Sequence, residues 1–135
     1  MIDYYNNIYD TVANAVRTVY SDISISGEYL SSPSQFPCVT CEEIENTDIR
    51  NLVDSSRAEK YARLIYRIQV FSNNPNGKKA EAREIFSTVD SAIKRLGFTR
   101  VTYTTTPDLY QSTKYCITAT YEAVIDSNGV VYGRE

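Results

Sequence analysis

The sequence has no histidine, no tryptophan, five glycines and three cysteines in 135 residues. Each shortage excludes something. Without histidine the chain lacks the commonest general base and the usual partner of a Ser or Cys nucleophile. It contains no G-x-S-x-G, and five glycines leave little material for a phosphate-cradling loop. No enzyme activity and no cofactor are therefore expected. Three cysteines cannot all pair with one another, so free thiols are expected. No apolar run approaches the roughly 18 residues that a membrane helix needs. The first ten residues, MIDYYNNIYD, carry no basic region ahead of an apolar core, so no secretory signal is expected and the chain should act in the cell that makes it.

A basic excess is missing too. Fourteen Lys and Arg stand against seventeen Asp and Glu, a net charge of −3. Tight DNA binding through phosphate neutralisation normally shows a basic stripe. The nearest thing is Lys78-Lys79 with Arg83, Lys94 and Arg95. Glu81, Glu84 and Asp90 interleave with them, which describes a solvated helix face.

What is present is enough for one domain, residues 1–135, with a real core. Hydrophobic residues make up 42% and charged residues 23%, the balance of a soluble globular protein. Tyrosine is abundant at twelve. It suits subunit interfaces and half-buried strands alike.

One stretch invites chemistry. FPCVTCEEIEN, Phe36 to Asn46, holds a C-x-x-C, Cys38 and Cys41, and then Glu42, Glu43 and Glu45. A redox motif needs its first Cys at a helix N-terminus. Here Pro37 and a strand pattern precede and carry it. Residues three apart on a strand point to opposite faces, so the two thiols diverge. A structural zinc needs four ligands, and only Cys116 remains to help. The stretch reads as a strand in which Cys serves as a small apolar residue. Asp126-Ser127-Asn128-Gly129 begins like a calcium loop, but Gly falls fourth rather than sixth and the twelfth position lies beyond Glu135. It reads as a turn.

Periodicity supplies the elements. Ile2, Tyr5, Ile8, Tyr9, Val12, Val16 and Val19 predict an amphipathic helix over residues 2–20, with Asp3 in its first turn. Ile23 to Ser26 is a short strand, and a longer one starts at Phe36. Residues 45–60 are polar with isolated apolar positions and read as a long loop or arm. The run from Tyr61 to Phe71 is a strand, with Ala62, Leu64, Tyr66, Ile68 and Val70 on one face. Lys78 to Leu96 is a helix whose apolar face is Ala82, Ile85, Phe86, Val89, Ile93 and Leu96. Gly97 is its C-terminal cap. Phe98 to Thr104 is a strand, Pro107-Asp108 lies in a turn, and a long strand carries Tyr115, Ile117, Ala119, Tyr121, Ala123 and Ile125 on one face. Val130 to Tyr132 closes the chain. The order α-β-β-β-α-β-β-β predicts an α+β two-layer sandwich. One antiparallel or mixed sheet would carry two helices on one face.

Four segments in this order resemble a family. They are FPCVTCEEIEN; YARLIYRIQVFSN followed by GKKAEAREIFSTVDSAIKRLGFTR; TTTPDLYQSTKY leading into a tyrosine-bearing strand; and VIDSNGVVYGR. Together they span Phe36 to Arg134 and resemble the tail terminator (tail completion) proteins of bacteriophages of Gram-positive hosts. The resemblance implies a homo-oligomeric ring, usually a hexamer, in the virion at the head-proximal end of the tail, assembled in the host cytoplasm. Such a ring ends polymerisation of the tail tube (major tail) protein and meets the head-neck connector protein, while DNA passes through without specific binding and no membrane is involved. On that reading Asp48, Ile49, Arg50, Leu52 and Val53 belong to the tube or neighbour-subunit interface. Glu42, Glu43 and Glu45 line the channel, where carboxylates repel phosphates. A head-completion or neck connector protein, or a non-viral protein-binding adaptor domain, are the alternatives.

Overall fold

A computed structural model describes residues 3–21, 23–27, 36–48, 61–107, 115–126 and 129–132. The elements run α1 (Tyr5–Val19), β1 (Ser24–Ser26), β2 (Cys38–Asp48), β3 (Tyr61–Ser72), α2 (Lys78–Arg95), β4 (Thr99–Pro107), β5 (Tyr115–Asp126) and β6 (Val131–Tyr132). This is the predicted order. The fold is α+β, with a mixed sheet in the order β1-β2-β3-β5-β4, and β6 pairs with β5. Among the described residues only β1 and β2 pair in parallel, and the other pairs are antiparallel. Among the described residues no helix is long and apolar enough to cross a membrane.

Strand alternation creates the layers. Ala62, Leu64, Tyr66, Ile68 and Val70 of β3 and Ile117, Ala119, Tyr121, Ala123 and Ile125 of β5 are buried against both helices. The helices answer with Ile8, Val12 and Val16 of α1 and Ala82, Ile85, Phe86, Val89 and Ile93 of α2. Both helices therefore lie on one face of the sheet. The other, far face carries Arg63, Ile65, Arg67 and Gln69 of β3 opposite Val124, Glu122, Thr120 and Thr118 of β5.

Several boundaries differ from expectation for local reasons. Helix α1 begins at Tyr5, so Asp3 sits ahead of the first turn, where its Oδ1 accepts the Tyr5 N–H at 3.2 Å. Val19 is exposed rather than packed. The buried stripe Ile8-Val12-Val16 advances by fours, and the next step lands on Tyr20, which packs against the core. Strand β2 runs on to Asp48, so Glu45 to Asp48, expected in a loop, pair with β3. Residues 49–60 of the expected arm lie outside the described residues. Strand β4 includes Pro107, which pairs with Tyr115 rather than forming a turn. Gly97 has φ 98°, the left-handed cap that α2 requires, and an added Cβ there would press on Val131 at 3.0 Å.

Four of the tyrosines belong to the core, and Tyr5, Tyr9 and Tyr20 pack against it. Tyr66 and Tyr121 are fully buried, and Tyr4 and Tyr115 nearly so. The two fully buried phenols each find an acceptor, as burial demands, and so does the half-buried Tyr5. Tyr66 donates to Glu43 at 3.1 Å, Tyr121 to Asp90 at 2.7 Å, and Tyr5 to the Cys41 carbonyl at 2.9 Å. Tyrosine here bridges an apolar interior to polar groups at its margin.

Candidate functional site

The acidic strand β2 carries the channel-lining candidates, and a bulge decides their faces. Glu42 pairs with Arg67, Glu43 with Tyr66, and Glu45 with Ile65, so Ile44 is the extra residue. Without it, Glu42 and Glu45 would point to opposite faces. With it, both stand on the far face and Glu43 stands on the helix face. The extra residue, Ile44, is 43% exposed.

Each of these carboxylates has a partner. Glu42 forms an ion pair and hydrogen bond with Arg67. Glu45 lies 3.5 Å from Arg63, which also reaches Glu122 at 3.7 Å. The far face at this end of the sheet is a mixed-charge ladder, Glu42–Arg67 beside Glu45–Arg63–Glu122. Toward β4 the same face turns neutral: Thr102 Oγ1 meets Thr120 Oγ1 at 2.7 Å, and Thr104 donates to the Thr118 carbonyl at 3.3 Å. Glu43 differs. Its carboxylate accepts the Tyr66 phenol, and among the described residues no cation meets it. Burial first, then the Glu43 charge, holds the Tyr66 phenol well above its ordinary range.

The interface candidates are only partly in view. Asp48 ends β2, paired along the backbone with Ala62. Ile49, Arg50, Leu52 and Val53 lie outside the described residues.

The two thiols of the C-x-x-C are separated as strand geometry requires. Cys41 belongs to the core under the helices, whereas Cys38 pairs with Phe71 on the far face; both are fully buried. Burial alone pushes the Cys41 thiol up to about 12. A thiol held protonated in that way is a poor nucleophile and a poor metal ligand. Among the described residues no three His, Cys, Asp or Glu side chains gather where they could hold a metal ion.

A second place was not singled out by the sequence. Strand β4 is an edge strand, and α2 overhangs it. Between them lies an open cleft of about 350 Å³, lined by Arg83, Phe86, Ser87, Asp90, Arg100 and Tyr103. Asp90 is its hub. Its side chain, 17% exposed, lies 3.2 Å from Lys94 Nζ and 3.3 Å from Arg100, besides accepting the Tyr121 phenol. The Arg100 guanidinium lies over the rings of Phe86 and Tyr103, at 5.9 and 5.5 Å from their centroids. Those two rings meet edge to face at 5.1 Å. Asp90 and Lys94 could be paired from their i, i+4 spacing, but Arg100 and Tyr121 come from other strands and leave no local signal. Arg83 meets no carboxylate among the described residues, so the cleft keeps a net positive charge.

No family model matches the chain, and no curated protein matches it. Among solved structures it is similar to a chain in the virion of a native gene transfer agent particle. The TM-score is 0.60 at 11% identity, covering 88% of this chain and 91% of that one. At that identity the likeness shows a shared fold. A second solved chain overlaps at a TM-score of 0.40 and 9% identity, over 93% of this chain and 96% of that one. That overlap is too weak to argue from.

Proposed function

We propose that the chain is a structural, non-enzymatic virion protein that forms a ring at the head-proximal end of a phage tail, ends tube polymerisation and joins the tail to the head-neck connector. Two independent observations support this reading. The order and spacing of four segments resemble the tail terminator family, and over 88% of its length the chain shares its fold with a chain in the virion of a gene transfer agent particle. The first carries the specific role; the second is consistent with it in fold and in length.

The geometry is compatible with a passive channel. If the far face of the sheet turns inward, Glu42 and Glu45 present carboxylates to passing DNA while Arg67 and Arg63 hold them. The Thr-lined remainder of that face offers neutral hydroxyls. Neither sign of charge dominates, so phosphates are neither captured nor strongly repelled. Glu43, on the opposite face, does not share this surface. Asp48, Ile49, Arg50, Leu52 and Val53 remain the proposed contact with the tube or the neighbouring subunit.

Deleting the gene from the producing phage tests the reading. Tails of uncontrolled length, unjoined to filled heads, are expected in electron micrographs. Tails of normal length beside heads that leak DNA would move the protein to the neck. Intact, infectious particles would remove it from virion assembly and favour an adaptor domain.

A further inference from the structure

A single cross-sheet row links the two edges of the molecule on the helix face. Glu43 pairs with Tyr66, Tyr66 with Tyr121, and Tyr121 with Arg100. The row begins with a carboxylate on β2 and ends with a guanidinium on β4. Each end is marked by a bulge beside it, between Glu43 and Glu45 on β2 and between Arg100 and Thr102 on β4. The extra residues, Ile44 and Val101, are 43% and 55% exposed. They are apolar side chains set at the two outer margins of one sheet.

The β4 margin has the marks of a pairing edge. Residues 100–105 are exposed, and from Val101 to Pro107 the strand carries no charge. Natural edge strands are usually blunted by an inward charge, a covering element or extreme shortness. Arg100 and the bulge after it blunt one end of β4 and the terminal proline the other, which leaves the β-branched and aromatic stretch 102–106 between them. Among the described residues nothing pairs with the outer side of β4. On the opposite margin, among the described residues, β1 covers β2 only from Cys38 to Thr40.

We propose that copies of this chain join head to tail by adding β2 of one copy, in the neighbourhood of Glu43, to the outer edge of β4 of the next. Charge decides this occupant. Glu43 is the carboxylate at the β2 margin that no described cation neutralises. The cleft beside β4, with Arg83 and Arg100 in its wall, has the excess positive charge, and it opens on the same face of the sheet. A β4-to-β4 pairing would instead place two basic clefts together. The strand directions also agree. Antiparallel pairing throughout β2-β3-β5-β4 makes β4 run against β2, so a copy added in the same orientation meets it antiparallel. Joining two different margins is a heterologous contact, which closes into a ring if the rotation allows and otherwise runs on as a filament. The inference deepens the ring reading above and rests on it.

Cross-linking tests the pairing. Full-length chains carrying Ile44→Cys or Val101→Cys, in a Cys116→Ser background, are mixed at high concentration and on purified tail tubes, then treated with a short bismaleimide. Cys38 and Cys41 are buried and do not compete. A link between the two variants is expected, with none from either alone. Adding Glu43→Lys should lower its yield by about tenfold at low salt; an unchanged yield overturns the charge seat. Val101→Cys linking to itself overturns the head-to-tail pairing. Rings or tube ends that carry the protein without the Ile44–Val101 link also overturn it and leave the virion reading standing. A chain that joins neither itself nor tubes removes that reading and this pairing with it.

Discussion

Tyr121, in the middle of β5, donates its phenol proton to Asp90 on α2 across 2.7 Å, and that bond ties the sheet to the helix that overhangs it. Asp90 also holds Arg100 and Lys94. The two ion pairs reach partly exposed cations and contribute little each. The buried phenol is the costly partner to abandon. Asp90→Ala should destabilise the fold by about 1–3 kcal/mol in urea unfolding, because Tyr121 is left buried without an acceptor. Asp90→Asn keeps an acceptor oxygen and should cost clearly less. Equal costs for the two variants would show that the charges, not the phenol, matter.

The buried phenols and the Cys41 thiol make the fold sensitive to base. Burial raises Tyr66, Tyr121 and Cys41 above their ordinary values of 10.0, 10.0 and 9.0, with Glu43 and Asp90 adding to the first two. A raised folded value means that the folded state keeps a proton the unfolded chain has lost. Stability is therefore full below about pH 9 and falls as pH rises toward about 12, where Cys41 titrates in the fold. Each such group steepens the fall by about 1.4 kcal/mol per pH unit once its unfolded form has ionised. Melting midpoints that stay flat from neutral pH to pH 9 and then drop are expected, with a shallower drop in Tyr66→Phe. A midpoint that rises above pH 9 would contradict the sign.

The two cysteines should respond differently to the same change. Cys41 sits in the apolar core, so Cys41→Ser buries a hydroxyl there at a cost of about 1–3 kcal/mol. Cys41→Ala avoids this and leaves only a small cavity. Cys38 faces the other side of the sheet, and a hydrogen bond with Ser24 partly offsets the effect of its burial. Cys38→Ser should therefore be milder. Particles built with Cys38→Ser and Cys41→Ala are expected to assemble normally, because no joint task binds the two thiols. Zinc found in the wild-type protein by elemental analysis would refute that.

How much of this was legible beforehand follows the range of each interaction. The strand from Tyr61 and the strand ending at Asp126 announced themselves, because alternation is a local property that burial on one face enforces. Helix α2 did so through its stripe of buried apolar positions and Gly97. The bulge at Ile44 was invisible: nothing in EEIEN says which residue a partner strand will skip. That one residue puts Glu42 and Glu45 on a common face and Glu43 alone on the other. The Asp90 hub was hidden for a related reason. On α2 it looked like one more charge on a solvated face, and its burial comes from Tyr121 and Arg100, distant in sequence. The tyrosine count suits interfaces and half-buried strands alike, and only long-range packing makes Tyr66 and Tyr121 core residues whose hydroxyls meet carboxylates.

The far-face ladder separates stability from passage. Arg63 with Glu45 and Glu122 is a partly exposed cluster, so Glu45→Gln should change stability by less than about 1 kcal/mol. Glu42→Gln should cost somewhat more, because its pair with Arg67 is more sheltered. In the proposed ring the consequence for DNA is larger than either. Removing both carboxylates takes Glu42 from Arg67 and leaves Arg63 with Glu122, so the ladder turns from net negative to net positive toward the phosphates. The channel would then hold DNA in a salt-dependent way, since bound phosphates release counterions. Tails with Glu42→Gln and Glu45→Gln together are expected to assemble to normal length and to eject DNA slowly at low salt, recovering as salt rises. Adding Arg63→Gln and Arg67→Gln should restore ejection at low salt, because the ladder then carries no cation to hold a phosphate. Tails of uncontrolled length in the double variant would instead place this face against the tube, and ejection rates indifferent to all four changes would take it out of the channel.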